Sequence, residues 1–196
     1  MVNPGIILLA AGLSRRYHKA TGRHKLLELI PGTTETIFQR SLTNALLTGL
    51  KVTVVIRSES QQLKSICQKL NAPFVMVNSL CMGDSIAEGI QADKSCNGWL
   101  ISLADLPSIA QQTYKMVAGL VCEGQIVRPY YHEKPGHPVG FPVEMKLELL
   151  KLQGHDGARK LLKSHPVLQL NTQDSGCIWD IDLPDQLNER VINGGF

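Results

Sequence analysis

The hydrophobic positions of this chain fall into short apolar runs separated by segments with helical spacing. Ile6 to Leu9 is an uninterrupted apolar run, and Lys51 to Ile56, reading KVTVVI, is a β-branched one. Both suit strands buried on two faces. Pro73 to Val77, Trp99 to Leu103 and Gln125 to Arg128 supply further short strands, and Leu26 to Ile30 suits another before the Pro31-Gly32 turn signal. Between them the spacing predicts four helices. One runs from Thr34 with a stripe of Ile37, Leu42, Ala45 and Leu46 closed by Gly49, and one from a Ser58 cap through Leu63, Ile66, Cys67 and Leu70. The others span Asp84 to Ala92 and Ile109 to Val121. Strands alternating with helices of this length imply βαβ units, an α/β fold with a mainly parallel sheet and helices on both of its faces. Ligands gather at the carboxyl ends of strands in such sheets, so the loops after Leu9, Val77 and Leu103 share one rim.

The last third is less regular. Residues 129–141, PYYHEKPGHPVGF, read as an irregular loop leading into a short strand. Helical stretches fit Pro142 to Leu152 and Asp156 to Ser164, strands fit Val167 to Leu170 and Ile178 to Ile181, and a final helix starts near Pro184. No internal repeat, linker or low-complexity segment interrupts the chain, so residues 1–196 are expected to form a single domain.

Composition narrows the class. With 43% hydrophobic and 19% charged residues in 196, the chain has the make-up of a globular protein with one well-buried core. A formal charge of +3 is too small to point to nucleic acid, and the positive charge clusters locally at residues 15–25. The N-terminal apolar run has no basic residue ahead of it and is too short to span a bilayer, so neither a signal peptide nor a membrane partner is expected, and a cytoplasmic location is. Five cysteines, odd in number and without a C-x-x-C pair, indicate neither a disulfide framework nor a zinc site. They read mostly as small buried residues, with Cys81 set apart.

Five segments carry candidate chemistry. The first apolar run ends in Ala10-Ala11-Gly12, and Arg15, Arg16, Lys19, Arg23 and Lys25 follow with no acidic residue until Glu28. Small residues admit a ligand close to the backbone and the cations attract an anion, so this is either a phosphate-binding loop or a solvated basic one. It matches neither G-x-x-x-x-G-K-[ST] nor G-x-G-x-x-G. In Ser102 to Pro107, Asp105 leaves the end of an apolar strand, where it either holds Mg²⁺ or caps a turn before Pro107. In Cys81 to Ile86, Gly83 permits close backbone approach, while Asp84 and Ser85 either cap a helix or face a ligand. His137, between Gly136 and Pro138, is poorly explained as core packing. Asp180 and Asp182 alternate with apolar residues, which puts both on one face of a strand, and Asp182 either binds metal or caps the last helix.

In this order the segments resemble the nucleotidyltransferases of the molybdopterin-dinucleotide type, MobA-like NTP transferases, and among them the molybdenum cofactor cytidylyltransferase branch. L-A-A-G-x-S-x-R and G-x-x-K are matched by Leu9 to Arg16 and by Gly22 to Lys25, and G-M-x-x-S is similar to Met82-Gly83-Asp84-Ser85. L-x-D-x-P corresponds to Leu103 through Pro107, G-H-P to Gly136 through Pro138, G-D-x-G-A-R to Gly154 through Arg159, and D-I-D-x-P to Asp180 through Pro184.

The resemblance implies a Rossmann-like three-layer α/β/α fold of the nucleotide-diphospho-sugar transferase type. It implies a Mg²⁺-dependent transfer of CMP from CTP to molybdopterin with release of pyrophosphate. Ala11, where the guanylyltransferase branch more often has glycine, leans to CTP over GTP. The implied roles place Leu9, Ala10, Ala11, Gly12, Ser14, Lys25, Gly83 and Ser85 at the nucleotide. Arg16, Lys25 and Asp105 are catalytic, Asp105 and Asp182 hold the metal, and His137 meets the acceptor. Two departures stand out: Tyr17 to Thr21 lengthens the first loop by four residues, and Cys81 replaces a glycine ahead of Met82. The altered loop motivates a second reading, an accessory protein that binds nucleotide or cofactor for a molybdenum hydroxylase apoenzyme. A GTP-using or a sugar-phosphate nucleotidyltransferase is a further reading, which keeps the chemistry and changes the substrate.

Overall fold

The computed structural model describes residues 3–79 and 81–187. The chain begins with β1 (Gly5–Ala10), α1 (Arg15–Thr21) and α2 (Ile37–Leu46), then β2 (Lys51–Arg57), α3 (Gln61–Lys69) and β3 (Phe74–Val77). It continues through α4 (Met82–Ala92), β4 (Gly98–Leu103), α5 (Gln111–Cys122), β5 (Val127–Tyr131), β6 (Lys134–Pro135) and β7 (Val139–Pro142), and ends with α6 (Lys146–Leu150), α7 (Arg159–Ser164) and β8 (Leu168–Asn171). The strands make one sheet in the order β3-β2-β1-β4-β7-β5-β6, with β8 beside β5. The β3-β2-β1-β4 half and the β5–β8 pair are parallel, whereas β7 is antiparallel to β4 and to β5.

Side-chain alternation along β1 divides the core in two. Ile6, Leu8 and Ala10 pack with α2, α3 and α5 through residues such as Phe38, Leu63 and Val117. Ile7 and Leu9 pack with α4, α6 and α7 through Ile86, Leu149 and Leu161. The expected three-layer α/β/α arrangement is therefore the observed one. Crossovers leave β1 in opposite directions toward β2 and β4, and the register sets Leu9 beside Leu103. Their carboxyl ends form the crevice that such a switch in strand order creates.

Several local expectations change. Residues 15–21 are helical rather than loop: Tyr17, 2% exposed, inserts into the core, and Gly22 ends the helix at φ 73°. Lys25–Leu27 is a 3-10 turn instead of the start of a strand. The only β feature of that strand among the described residues is the Leu29–Thr36 bridge. α2 is opened by a Thr36–Gln39 capping box. Residues 129–141 form antiparallel β5–β6 and β7, not an irregular loop, and α6 and α7 are shorter than the helical pattern suggested. Ser175–Ile178 is a 3-10 turn, and no strand spans Ile178 to Ile181 among the described residues. Residues 184–187 are helical, and the rest of the helix expected from Pro184 lies outside the described residues. All five cysteines are free, with Cys67, Cys96 and Cys177 buried. Among the described residues no helix is long and apolar enough to cross a membrane.

Candidate active site

The crevice is built by the tips of β1 and β4. The backbone N–H of Ala104 donates to the Leu9 carbonyl (3.0 Å), carrying the strand pairing one step further, so Asp105 emerges next to the loop that follows β1. The N–H of Ile181 donates to the Asp105 carbonyl (3.1 Å) and draws the 180–182 segment alongside. Lys25 is held nearby through Ser14, whose hydroxyl oxygen accepts from the Lys25 backbone N–H (3.0 Å).

These ties create an ion-pair cluster. Lys25 Nζ donates to Asp105 Oδ2 (2.6 Å) and to Asp182 Oδ1 (2.8 Å), and Arg16 Nη1 donates to Asp182 Oδ2 (2.5 Å). Lys25 and Asp105 are largely buried, while the Arg16 side chain is 79% exposed. Burial alone favours a neutral Lys25, but Asp105 and Asp182 outweigh it and raise its pKa. Burial likewise works against ionised Asp182, and Lys25 with Arg16 overcomes it and lowers that pKa. Asp180 is raised, by burial first and then by the charges of Asp105 and Asp182, so three carboxylates share this corner electrostatically.

Asp182 does not cap the following helix. Its carboxylate faces Lys25 and Arg16, and the Gln186 side chain accepts from the N–H groups of Asp182 (2.7 Å) and Leu183 (2.8 Å) in its place. Asp105 Oδ1 is buried with no hydrogen-bond partner. A buried carboxylate oxygen is costly in that condition, and a hard divalent cation is a fitting partner for it. Among the described residues no three His, Cys, Asp or Glu side chains make a metal cage, so a cation placed at Asp105 and Asp182 would have to complete its shell with water and substrate oxygens.

A cavity of about 260 Å³ opens beside the cluster, with Leu9, Ala10, Ala11, Gly12, Lys25 and Ser85 on its wall. A Cβ added to Gly12 meets no atom within 4 Å, so the space there is open rather than packed by protein. Cys81 and His155 stand at the same cavity with Sγ and Nε2 3.7 Å apart. A second cavity of about 450 Å³ shares Leu9, Met82 and Leu103 with the first and carries His137.

Two of the sequence candidates sit elsewhere. Gly83 is in the first turn of α4 and off the cavity wall; its Cβ would fall 2.8 Å from the Gln153 backbone, so glycine there lets the helix abut the 153–154 segment. Asp84 accepts from Gly154 N–H (3.1 Å) and from the Ser79 hydroxyl, an architectural role. Ser85 lines the first cavity and donates its hydroxyl to the Cys81 carbonyl (3.0 Å).

His24 had no separate signal in the sequence. Its Nδ1 accepts from Leu26 N–H (3.3 Å), which leaves Nε2 to donate to the Gly12 carbonyl (3.2 Å). Burial and the neighbouring Lys25 favour the neutral ring against the opposing effect of the Gly12 bond. His24 thereby pins the tip of the β1 loop.

A family model for the MobA-like NTP transferase domain matches residues 6–170 of this chain. The chain belongs to that family. It is a nucleotidyltransferase of this superfamily, which acts on nucleoside triphosphates. Similar folds include Rv0371c from Mycobacterium tuberculosis H37Rv, at 24% identity and TM-score 0.82 over 98% of this chain and 99% of that one. That mycobacterial protein is also known as a manganese complex, at 22% identity and TM-score 0.77 over 96% and 97%. Another is the molybdopterin-guanine dinucleotide biosynthesis protein A from Archaeoglobus fulgidus, at 15% identity and TM-score 0.72 over 97% and 99%. Among curated proteins none matches significantly.

Proposed function

We propose that this nucleotidyltransferase moves CMP from CTP to the phosphate of molybdopterin and releases pyrophosphate. The observation that carries the transfer chemistry is the Lys25–Asp105–Asp182 cluster at the mouth of an open cavity, with one Asp105 oxygen left unsatisfied. The choice of CTP rests on Ala11 in the first motif, and the acceptor on the match of the later motifs.

In this reading the triphosphate lies along Ala10 to Gly12, where small residues admit it to the backbone. Asp105 and Asp182 would hold Mg²⁺, which supplies charge neutralisation on the phosphates. Lys25 and Arg16, freed from carboxylates thus engaged, turn to the phosphate oxygens. A phosphate oxygen of the acceptor attacks the α-phosphorus, the bond to the β-phosphate breaks, and pyrophosphate leaves. The attacking oxygen is already ionised at neutral pH, so the residues position and neutralise and no general base is needed. Ser14 and His24 keep Lys25 and the Gly12 loop in place.

The lengthened first loop that motivates an accessory role is folded into α1 and leaves Lys25 at the carboxylates, so nothing at the site favours binding without transfer. Pyrophosphate release measured with each of the four nucleoside triphosphates, Mg²⁺ and molybdopterin tests the proposal. Release with CTP well above the others is expected. No release with any nucleotide rejects the transfer, and preference for GTP rejects the base.

A further inference from the structure

Cys81 and His155 stand on the wall of the first cavity, and the transfer chemistry uses neither. Both depart from the motifs that this chain otherwise follows: Cys81 replaces the glycine ahead of Met82, and His155 replaces the aspartate of G-D-x-G-A-R. They are 74 residues apart in sequence, yet Cys81 Sγ lies 3.7 Å from His155 Nε2, within hydrogen-bonding reach for sulfur.

The backbone holds the two together. Gly83 N–H donates to the Gly154 carbonyl (2.9 Å) and Gly154 N–H donates to Asp84 Oδ1 (3.1 Å), which fastens the start of α4 to the segment carrying His155. Cys81 is anchored on both sides. Its N–H donates to the Ser79 hydroxyl oxygen (3.1 Å), and its carbonyl accepts from the Ser85 hydroxyl (3.0 Å). A thiol held beside an imidazole that can take its proton, at the wall of an open cavity, is a nucleophile paired with a base.

The other cysteines are placed differently. Cys67, Cys96 and Cys177 are buried, and burial pushes the first two thiols up to about 11 and the third to about 12. Cys122 is exposed at the end of α5 and lines neither cavity. Among the described residues no second cysteine lines the first cavity, so a disulfide formed there joins Cys81 to an outside thiol.

We propose that Cys81 and His155 form a thiol-modification site at which a low-molecular-weight disulfide reversibly closes the nucleotide cavity. The Cys81 sulfur attacks one sulfur of the disulfide and its proton passes to His155 Nε2. The new S–S bond forms as the old one breaks, and the displaced thiolate takes up that proton as it leaves. Cys81 is oxidised, the departing half is reduced, and excess thiol reverses the exchange. The adduct occupies a cavity of about 260 Å³ whose wall includes Ala10 to Gly12, so it and a triphosphate exclude each other. The inference rests on the transfer reading only for the nucleotide's place in that cavity.

The test incubates the full chain with oxidised glutathione and follows adduct formation by peptide mass spectrometry at Cys81 and, as an internal control, at Cys122. Cys81 should react faster by about tenfold or more, a modest share of what a positioned base contributes. His155→Gln should erase that advantage and leave the Cys122 rate as it was. Saturating CTP with Mg²⁺ should protect Cys81 and not Cys122. The Cys81 adduct should lose CTP binding and regain it on treatment with dithiothreitol, whereas Cys81→Ser should keep its own CTP affinity through the same treatment. A Cys81 rate equal to that of Cys122, an advantage that survives His155→Gln, or an adduct that binds CTP as the untreated chain does overturns the proposal. Failure of the transfer reading shows separately, in the untreated chain, as absence of CTP binding or of pyrophosphate release, and leaves the two thiol rates as measured.

Discussion

Lys25 neutralises two carboxylates in the free protein, and this sets what its removal does. Asp105→Ala and Lys25→Ala are each expected to lower turnover about a hundred- to a thousandfold, the cost of losing one transition-state contact, as measured by CTP-dependent pyrophosphate release. Rates within a few-fold of wild type for either would reject the proposed roles. Lys25→Ala also leaves Asp105 and Asp182 facing each other with less positive charge, so its Tm should fall in a chelator and recover with Mg²⁺. His137 supplies a pH signature. Burial, with Arg128 nearby, pushes its pKa from 6.5 down to about 4, although the Ile101 bond and Asp105 act the other way. The unfolded chain therefore takes up the proton first. This contribution to stability is complete above pH 6.5 and is lost as the pH falls toward 4. Denaturant titrations between those limits should show a shallower acid loss in His137→Asn; an unchanged slope would show that the ring is not held neutral.

Among the elements, α1 is the one whose meaning changed most. Read along the sequence, Arg15 to Lys25 is a run of charge with a tyrosine in it; folded, Tyr17 is buried in the core while the neighbouring Arg16 reaches Asp182. Removing a large buried aromatic costs about 3–5 kcal/mol, so Tyr17→Ala should lower stability by that order and weaken nucleotide binding through Arg16, whereas Lys19→Ala should do neither. α4 depends on contact with a segment seventy residues on. Gly83→Ala drives a Cβ into the Gln153 backbone, which has no side-chain freedom with which to yield, and overpacking of this kind costs about 1–3 kcal/mol. Thermal denaturation checks it: a Tm equal to wild type would show that the 153–154 segment moves aside freely. Neither effect was legible locally. Glycine in Met82-Gly83-Asp84-Ser85 looks the same whether a ligand or another stretch of backbone lies against it.

For the whole molecule, the site is a junction of pieces from residues 9–25, 81–85, 103–105 and 180–182, so ligand binding and folding are coupled. CTP with Mg²⁺ at a hundred times its Kd should add about 2.7 kcal/mol, or about 5–11 °C in Tm for a chain of this size. CTP with a chelator should give much less, since the nucleotide then meets Asp105 and Asp182 without the cation that reconciles them. An equal shift with and without Mg²⁺ would argue against the metal.

Apolar runs and helical spacing determined the three-layer α/β/α fold, because the β1 and β2 runs have no stable place except inside a doubly covered sheet. The same sheet rule placed Leu9, Asp105 and the small residues Ala10 to Gly12 on one rim, and the motifs named the chemistry. What only the tertiary structure decided is how each polar group is satisfied. Asp182 and Asp84 are both acids near the start of a helix, yet one turns to Lys25 and the other holds Gly154. His24 and His137 each meet a distant carbonyl, Gly12 in one case and Ile101 in the other. Hydrophobic pattern is a local periodic property and survives in one dimension. Hydrogen-bond partners and charge pairs depend on what long-range packing brings within 3 Å, and the order of residues along the chain does not contain that distance.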